Sequence, residues 1–334
     1  MKAIGLTNFG DPGTFEEIEV NLPDLNENQV LVEVKASSIN PGDEPLRTGK
    51  IFRSSVGGQW SEKLPIFLGS DVAGIVKAVG EKVSLFQAGD RVMGLSIHSG
   101  AYQDFIAVDE EHLAKFTENI SYEIAGAAPT IALTAKQALF DYGKLLKGQR
   151  VLIQGGAGGV GHITIQLAKN HGAYVITTAR KNNHDFVKAL GADEVYDYTE
   201  FDIADIIHEK VDLVIDTVME ASIIENNGAL GEVGKKSLSV IRDNGKYVSI
   251  VSFGLNRYPM ERSIEAYFFQ SKPNHSDFEK IVDWIRMKEL QIHIDKIYPL
   301  SPHGISEAYI HSKKQPKKGR ISVSGILNKQ NNQS

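Results

Sequence analysis

The segment Val151-Leu152-Ile153-Gln154-Gly155-Gly156-Ala157-Gly158-Gly159-Val160-Gly161 constrains this chain more than any other. An apolar strand pattern runs into a glycine-rich turn and then directly into a helical pattern. Gly156, Gly158 and Gly161 keep the spacing G-x-G-x-x-G, with Ala157, Gly159 and Val160 completing the turn. Small residues let the turn tighten and let a pyrophosphate approach the backbone. The unpaired N–H groups of the following helix carry partial positive charge toward it. A bare glycine motif is weak, so the flanking pattern has to decide its meaning.

The flanks supply a complete βαβ repeat. Strands are expected at Arg150 to Gln154, Ala173 to Thr178, Glu194 to Tyr196, Val211 to Asp216 and Lys246 to Val251. Helical stretches separate them, among them Gly161 to Asn170 and Asp185 to Leu190, with Gly172 and Gly191 placed as helix ends. Alternation of this kind implies an α/β fold with a doubly wound parallel sheet of the Rossmann type. The second strand ends at Thr177-Thr178-Ala179-Arg180-Lys181, with no acid to bind a ribose diol. Arg180 and Lys181 can instead bind a 2′-phosphate, which favours NADPH over NADH. The alternative is that both are surface charges at a strand end.

The chain before about Ser121 reads as β-rich. Val30 to Lys35 is a half-buried strand pattern, and two strands are expected between Asp71 and Val92, around Gly80. After Ser263 the signals mix: helices at Asp277 to Glu289 and Gly304 to Ser312, a closing strand at Arg320 to Ile326, and a polar tail from Asn328. The basic run Lys313 to Arg320 reads as a solvated loop before that strand, not a nucleic-acid patch, because the net charge is -6. There is no cysteine, and no two histidines lie four residues apart. Thiolate sites and disulfides are thereby excluded, and no resident metal is expected. No apolar run reaches the length of a membrane span, so a cytoplasmic protein is expected.

These residues resemble the medium-chain dehydrogenase/reductase superfamily, and within it the zinc-independent quinone oxidoreductase group that includes zeta-crystallin. The resemblance rests on Ser38-Ile39-Asn40-Pro41-Gly42-Asp43, Leu68-Gly69-Ser70-Asp71-Val72-Ala73-Gly74, Val79-Gly80, Gly89-Asp90-Arg91-Val92, Ala127-Ala128-Pro129 and Leu133-Thr134-Ala135. It implies a GroES-like β-rich catalytic domain from residues 1–121 and 264–334, a Rossmann NADP-binding domain from 122–263, and a homodimer. Zinc-dependent relatives carry Gly-His-Glu where this chain has Gly69-Ser70-Asp71. Family members place glycines where this chain has Met219-Glu220, and the stretch Ala221 to Gly234 is longer than usual; an elongated surface loop is the simpler reading, and the alternative, because the resemblance puts this region near the cofactor cleft, is an altered pocket or lid.

The resemblance implies hydride transfer to a quinone or an activated alkene such as an enone or alkenal. Asn40 is the first candidate to sit beside the reacting carbonyl, although Asn before Pro41 also suits a turn. Thr134, Thr178, Tyr198, Ser249 and Ile250 join the glycine turn, Arg180 and Lys181 as expected cofactor contacts, with Thr134 otherwise a helix cap. Tyr102, Asp43 and His98 are further pocket candidates, for each of which a structural role is the first reading. Two other functions share the fold: a nucleotide-binding sensor without turnover, and an enoyl-thioester reductase.

Overall fold

The strand Arg150–Gln154 occupies the centre of a parallel sheet because Val151, Leu152 and Ile153 are all fully buried, as a strand covered on both faces requires. The computed structural model describes residues 1–49, 63–314 and 318–325. Among them this six-stranded sheet runs Glu194–Tyr196, Tyr174–Thr178, Arg150–Gln154, Val211–Asp216, Ile241–Ser249, Glu265–Phe268. Every neighbouring pair is parallel. The chain moves outward in one direction for three strands, then returns to the centre and builds the other half. Where the direction reverses, between Arg150–Gln154 and Val211–Asp216, the loops at the carboxyl ends part and leave a crevice.

Helix Gly159–Asn170 follows the glycine turn and is buried on all sides from Gly161 to Ala168. It ends at Gly172, whose φ of 90° an L side chain rarely adopts. The parallel sheet includes Glu265–Phe268, one strand beyond the residue-263 boundary implied by the sequence pattern. Alternation there is too brief, over four residues, to register as a strand.

The β-rich part forms a second sheet in the order Ile294–Pro299, Arg320–Ser324, Gln29–Ser38, Asp71–Val79, Arg91–Leu95, Leu113–Lys115. Both ends of the chain therefore contribute to it, as a GroES-like domain interrupted by a Rossmann domain demands. A small antiparallel sheet of Thr14–Glu19, Lys2–Asn8 and Ile66–Phe67 lies beside it. Of the two strands expected around Gly80, Asp71–Val79 precedes it and the next begins only at Arg91, because residues 80–90 form turns closed by Val83 N–H to Gly80 O and Asp90 N–H to Gln87 O. Helices His275–Arg286 and Pro302–Ser312 match the late helical patterns. The closing strand ends at Ser324; Ile326, the polar tail and 315–317 of the basic run lie outside the described residues. No helix among the described residues is long and apolar enough to cross a membrane.

Ile153 is fully buried in the larger apolar cluster, between the helices on either face of the sheet. Ile153→Ala should lower unfolding free energy by about 2–5 kcal/mol. A denaturant midpoint within experimental error of the parent would contradict this placement.

Candidate active site

A cavity of about 1310 Å³ opens where the parallel sheet reverses, between it and the β-rich sheet. The glycine turn forms its floor. Gly155 takes φ 75° to make the turn, and its N–H is held by Thr178 Oγ1 at 3.2 Å. A Cβ on Gly156 would lie 2.0 Å from Thr177 Oγ1, and one on Gly161 2.2 Å from Gly155 O. These two glycines therefore bring strand, turn and helix together, and neither lines the cavity. Ala157, Gly158, Gly159 and Val160 do line it, at the N-terminus of the helix. Such a cradle fits a dinucleotide pyrophosphate.

The turn is fixed from below by His162. Its Nδ1 lies 2.9 Å from Gly158 O and its Nε2 accepts from His293 N–H at 3.2 Å. That arrangement needs a neutral ring protonated on Nδ1. Burial supplies it, pushing the His162 pKa down to about 4.

The expected cofactor residues divide into two groups. Thr134, Thr178, Arg180, Tyr198 and Ile250 line the cavity. Thr134 stands inside helix Pro129–Lys136, well past its cap position. Arg180 Nε donates to Tyr198 Oη at 2.9 Å, its guanidinium 5.6 Å from the ring centre, and it has no acidic partner among the described residues. Lys181 and Ser249 do not line the cavity. Lys181 gives its backbone N–H to Asp197, and its side chain is exposed. Ser249 is fully buried, its Oγ accepting from Val251 and Ser252 N–H at 3.2 and 3.0 Å. It shapes the strand end that presents Ile250.

At the other end of the cavity lies a buried polar cluster. Asp71, fully buried, takes Arg320 Nη2 at 2.9 Å, Asn40 Nδ2 at 3.0 Å and Ser38 Oγ on one oxygen, and Thr130 N–H at 2.6 Å on the other. Arg320 also donates to Ser38 Oγ at 2.8 Å and to Asn40 Oδ1. The reading of the basic run as a solvated loop is thus corrected at Arg320. Its strand pairs with Gln29–Ser38, which carries the side chain into the protein. Asn40 gives its amide hydrogens to Asp71 and, at 3.0 Å, to Ser70 Oγ, so its direct effect falls on Ser70, which lines the cavity.

The pocket candidates Tyr102 and Asp43 converge near this cluster, whereas His98 is exposed and pairs with Asp109 at 3.2 Å. The stretch after Asp216 is more than a surface loop. It forms helices Ala221–Glu225 and Glu232–Val240, and Met219, Ile224 and Val233 stand in the cavity wall. The sequence signalled this stretch only as a departure from the family pattern; in the fold Met219 is 44% exposed and borders the cavity. Among the described residues there is no group of three or more His, Cys, Asp or Glu that could hold a metal ion.

Comparison with known proteins places this geometry. The family model described as alcohol dehydrogenase GroES-like domain matches residues 26–118, and that described as zinc-binding dehydrogenase matches residues 190–322. The chain is 34% identical over 231 residues to mouse quinone oxidoreductase, covering 68% of each chain. It is 34% identical over 260 residues to 2-methylene-furan-3-one reductase of Solanum lycopersicum, covering 74% of this chain and 61% of that one. In structure it is similar to the quinone oxidoreductase from Coxiella burnetii, with TM-score 0.86, 32% identity and coverage of 97% and 99%. Escherichia coli quinone oxidoreductase complexed with NADPH shares the fold, with TM-score 0.81, 24% identity and coverage of 97% and 100%. The chain belongs to the medium-chain dehydrogenase/reductase superfamily. Within it, the chain is a member of the quinone oxidoreductase family, a group of oxidoreductases.

Removing the guanidinium leaves the Asp71 carboxylate buried beside neutral groups only. Arg320→Ala should therefore cost about 3–5 kcal/mol of stability, measured by thermal or chemical unfolding. A loss below about 1 kcal/mol, the range of an exposed pair, would show that the pair is not buried in solution.

Proposed function

We propose that this protein is an NADPH-dependent, zinc-free reductase that delivers hydride to a quinone or an activated alkene. One observation carries the reading: a single cavity joins the glycine turn and Arg180 at one end to Ser70, Asn40 and an apolar wall at the other. The turn and the helix N-terminus suit a pyrophosphate, and Arg180 suits a 2′-phosphate. Thr134 and Ile250 flank the space between. NADPH, when bound, supplies the hydride. The wall includes Tyr142, Phe253, Phe268, Phe269 and Met219, which favours an apolar, conjugated acceptor and keeps water from the reacting atoms. Asn40 orients the Ser70 hydroxyl toward the cavity, where it can hydrogen-bond an acceptor oxygen as charge gathers there.

The residues present do not fit a zinc ion. The Asp71 carboxylate is already held by the Arg320 guanidinium, and its neighbours Ser38, Ser70 and Asn40 are weak zinc ligands. A dication there would stand beside a buried cation. The strand Glu265–Phe268 has an open edge among the described residues, which supports pairing of two copies across the parallel sheets.

NADPH oxidation, followed by nicotinamide absorbance with a quinone, an enone and an alkenal, tests the reading. The parent should prefer NADPH over NADH. Arg180→Ala should reduce that preference by roughly 10- to 100-fold, the loss of one charge-assisted hydrogen bond, and leave NADH turnover unchanged. NADPH binding without turnover by any acceptor would favour a nucleotide sensor instead.

A further inference from the structure

Asp43 stands in the cavity wall beside Asn40, 7% exposed, as the first residue of the short helix Asp43–Arg47. Behind it runs a chain of buried hydroxyls. Tyr309 Oη lies 3.0 Å from Asp43 Oδ2, Tyr102 Oη lies 3.4 Å from Tyr309 Oη, and Tyr102 donates to Ser38 O at 3.1 Å. Tyr102 is fully buried and Tyr309 is 2% exposed.

The chain holds one side of the carboxyl and leaves the other free to carry a proton. Tyr309 donates to Asp43 Oδ2, and the single Tyr102 hydrogen reaches either the Ser38 carbonyl or Tyr309 Oη. With Oδ2 accepting from Tyr309, a proton on the carboxyl is carried by Oδ1.

The charges around the group are few. Arg47 lies over the Tyr309 ring, its guanidinium 5.0 Å from the centre. Arg320 and Asp71 act on Asp43 from the buried cluster, with opposite signs. Burial outweighs them and the Tyr309 hydrogen bond, and pushes the carboxyl up to about 6. The acid form is therefore retained up to about pH 6, well above the ordinary carboxylate range.

We infer that Asp43 is the general acid of this site, giving its proton to the acceptor oxygen on which negative charge collects. The inference rests on the reductase reading above. For an enone, the hydride electron pair forms a C–H bond at the β-carbon while the alkene pair shifts toward the carbonyl. The Asp43 O–H bond breaks, its proton goes to the enolate oxygen, and the carboxylate left behind regains a proton from solvent. NADPH is oxidised to NADP+ and the acceptor is reduced by two electrons. For a quinone, the same proton completes the hydroquinone. A carboxyl serving only to support the fold would need neither the cavity position nor a removable proton.

Asp43→Asn tests this cleanly, because the amide is neutral and its oxygen still accepts from Tyr309. The variant should melt and bind NADPH like the parent but lose about 10²–10⁴-fold in kcat, with KM little changed. The parent kcat should fall as pH rises through about 6, since the acid form is the active one, and the variant should lack that limb. Below about pH 6 the parent should also show the infrared carbonyl stretch of a buried protonated carboxyl, absent from the variant. A variant that keeps the parent rate and pH profile, or a parent without that band, overturns the acid assignment alone. A parent that oxidises no NADPH with any acceptor overturns the reductase reading and this inference together.

Discussion

The buried ion pair between Arg320 and Asp71 ties the molecule together at the point where its two sheets meet the cavity. Arg320 begins the strand returned from the C-terminal part of the chain, and Asp71 begins a strand of the N-terminal part. Thr130 N–H, one residue into helix Pro129–Lys136, closes the second carboxylate oxygen. An isolated buried charge would be costly, and this one is tolerable because each oxygen has donors in place. The backbone carries the same connection to the nucleotide end. Arg320 N–H meets His293 O, His293 N–H meets His162, and Gly319 N–H meets Ala157 O, so the glycine turn and the polar cluster are held in one register. Hydride transfer depends on such register, because donor and acceptor must be aligned closely in a common frame.

The cavity is asymmetric in a way that matches its proposed use. Its nucleotide end offers backbone N–H groups and an arginine without an acidic partner among the described residues, suited to phosphate. The remaining lining includes the apolar side chains of Tyr142, Phe253, Phe268 and Phe269 together with polar groups. Among those polar groups are Ser70, set by Asn40, and Asp43, set by Tyr309. A conjugated carbonyl compound presents the complementary pattern: a flat apolar body with one oxygen that gathers charge. Low polarity around that oxygen strengthens each hydrogen bond made to it.

Much of the fold was legible in the sequence, because the information was local. Val151 to Ile153 read as an apolar strand, and Gly156 and Gly161 as small residues that let the turn after it tighten. The strands at Tyr174–Thr178, Glu194–Tyr196 and Val211–Asp216 followed from the same apolar runs between glycine-capped helices. The site was legible only in part. Arg320 looked like one more charge in a basic run, and nothing nearby signals that its strand pairs with Gln29–Ser38. Asp43 and Tyr309 lie 266 residues apart, and Tyr102 and Tyr309 lie 207 apart. No periodicity reports such a meeting, and each residue alone is an ordinary buried side chain. Met219 was visible only as a departure from the family pattern, while its place in the cavity wall depends on how the chain turns after Asp216.

The most direct test of the central claim is to follow the hydride itself. NADPH deuterated at the transferable C4 position would be incubated with the protein and an enone, and the product analysed by mass spectrometry and NMR. The account predicts one deuterium at the β-carbon and an exchangeable hydrogen from solvent elsewhere. Product without deuterium, or label in NADPH left untouched while the protein holds it bound, would contradict the claim that this chain is a hydride-transferring reductase.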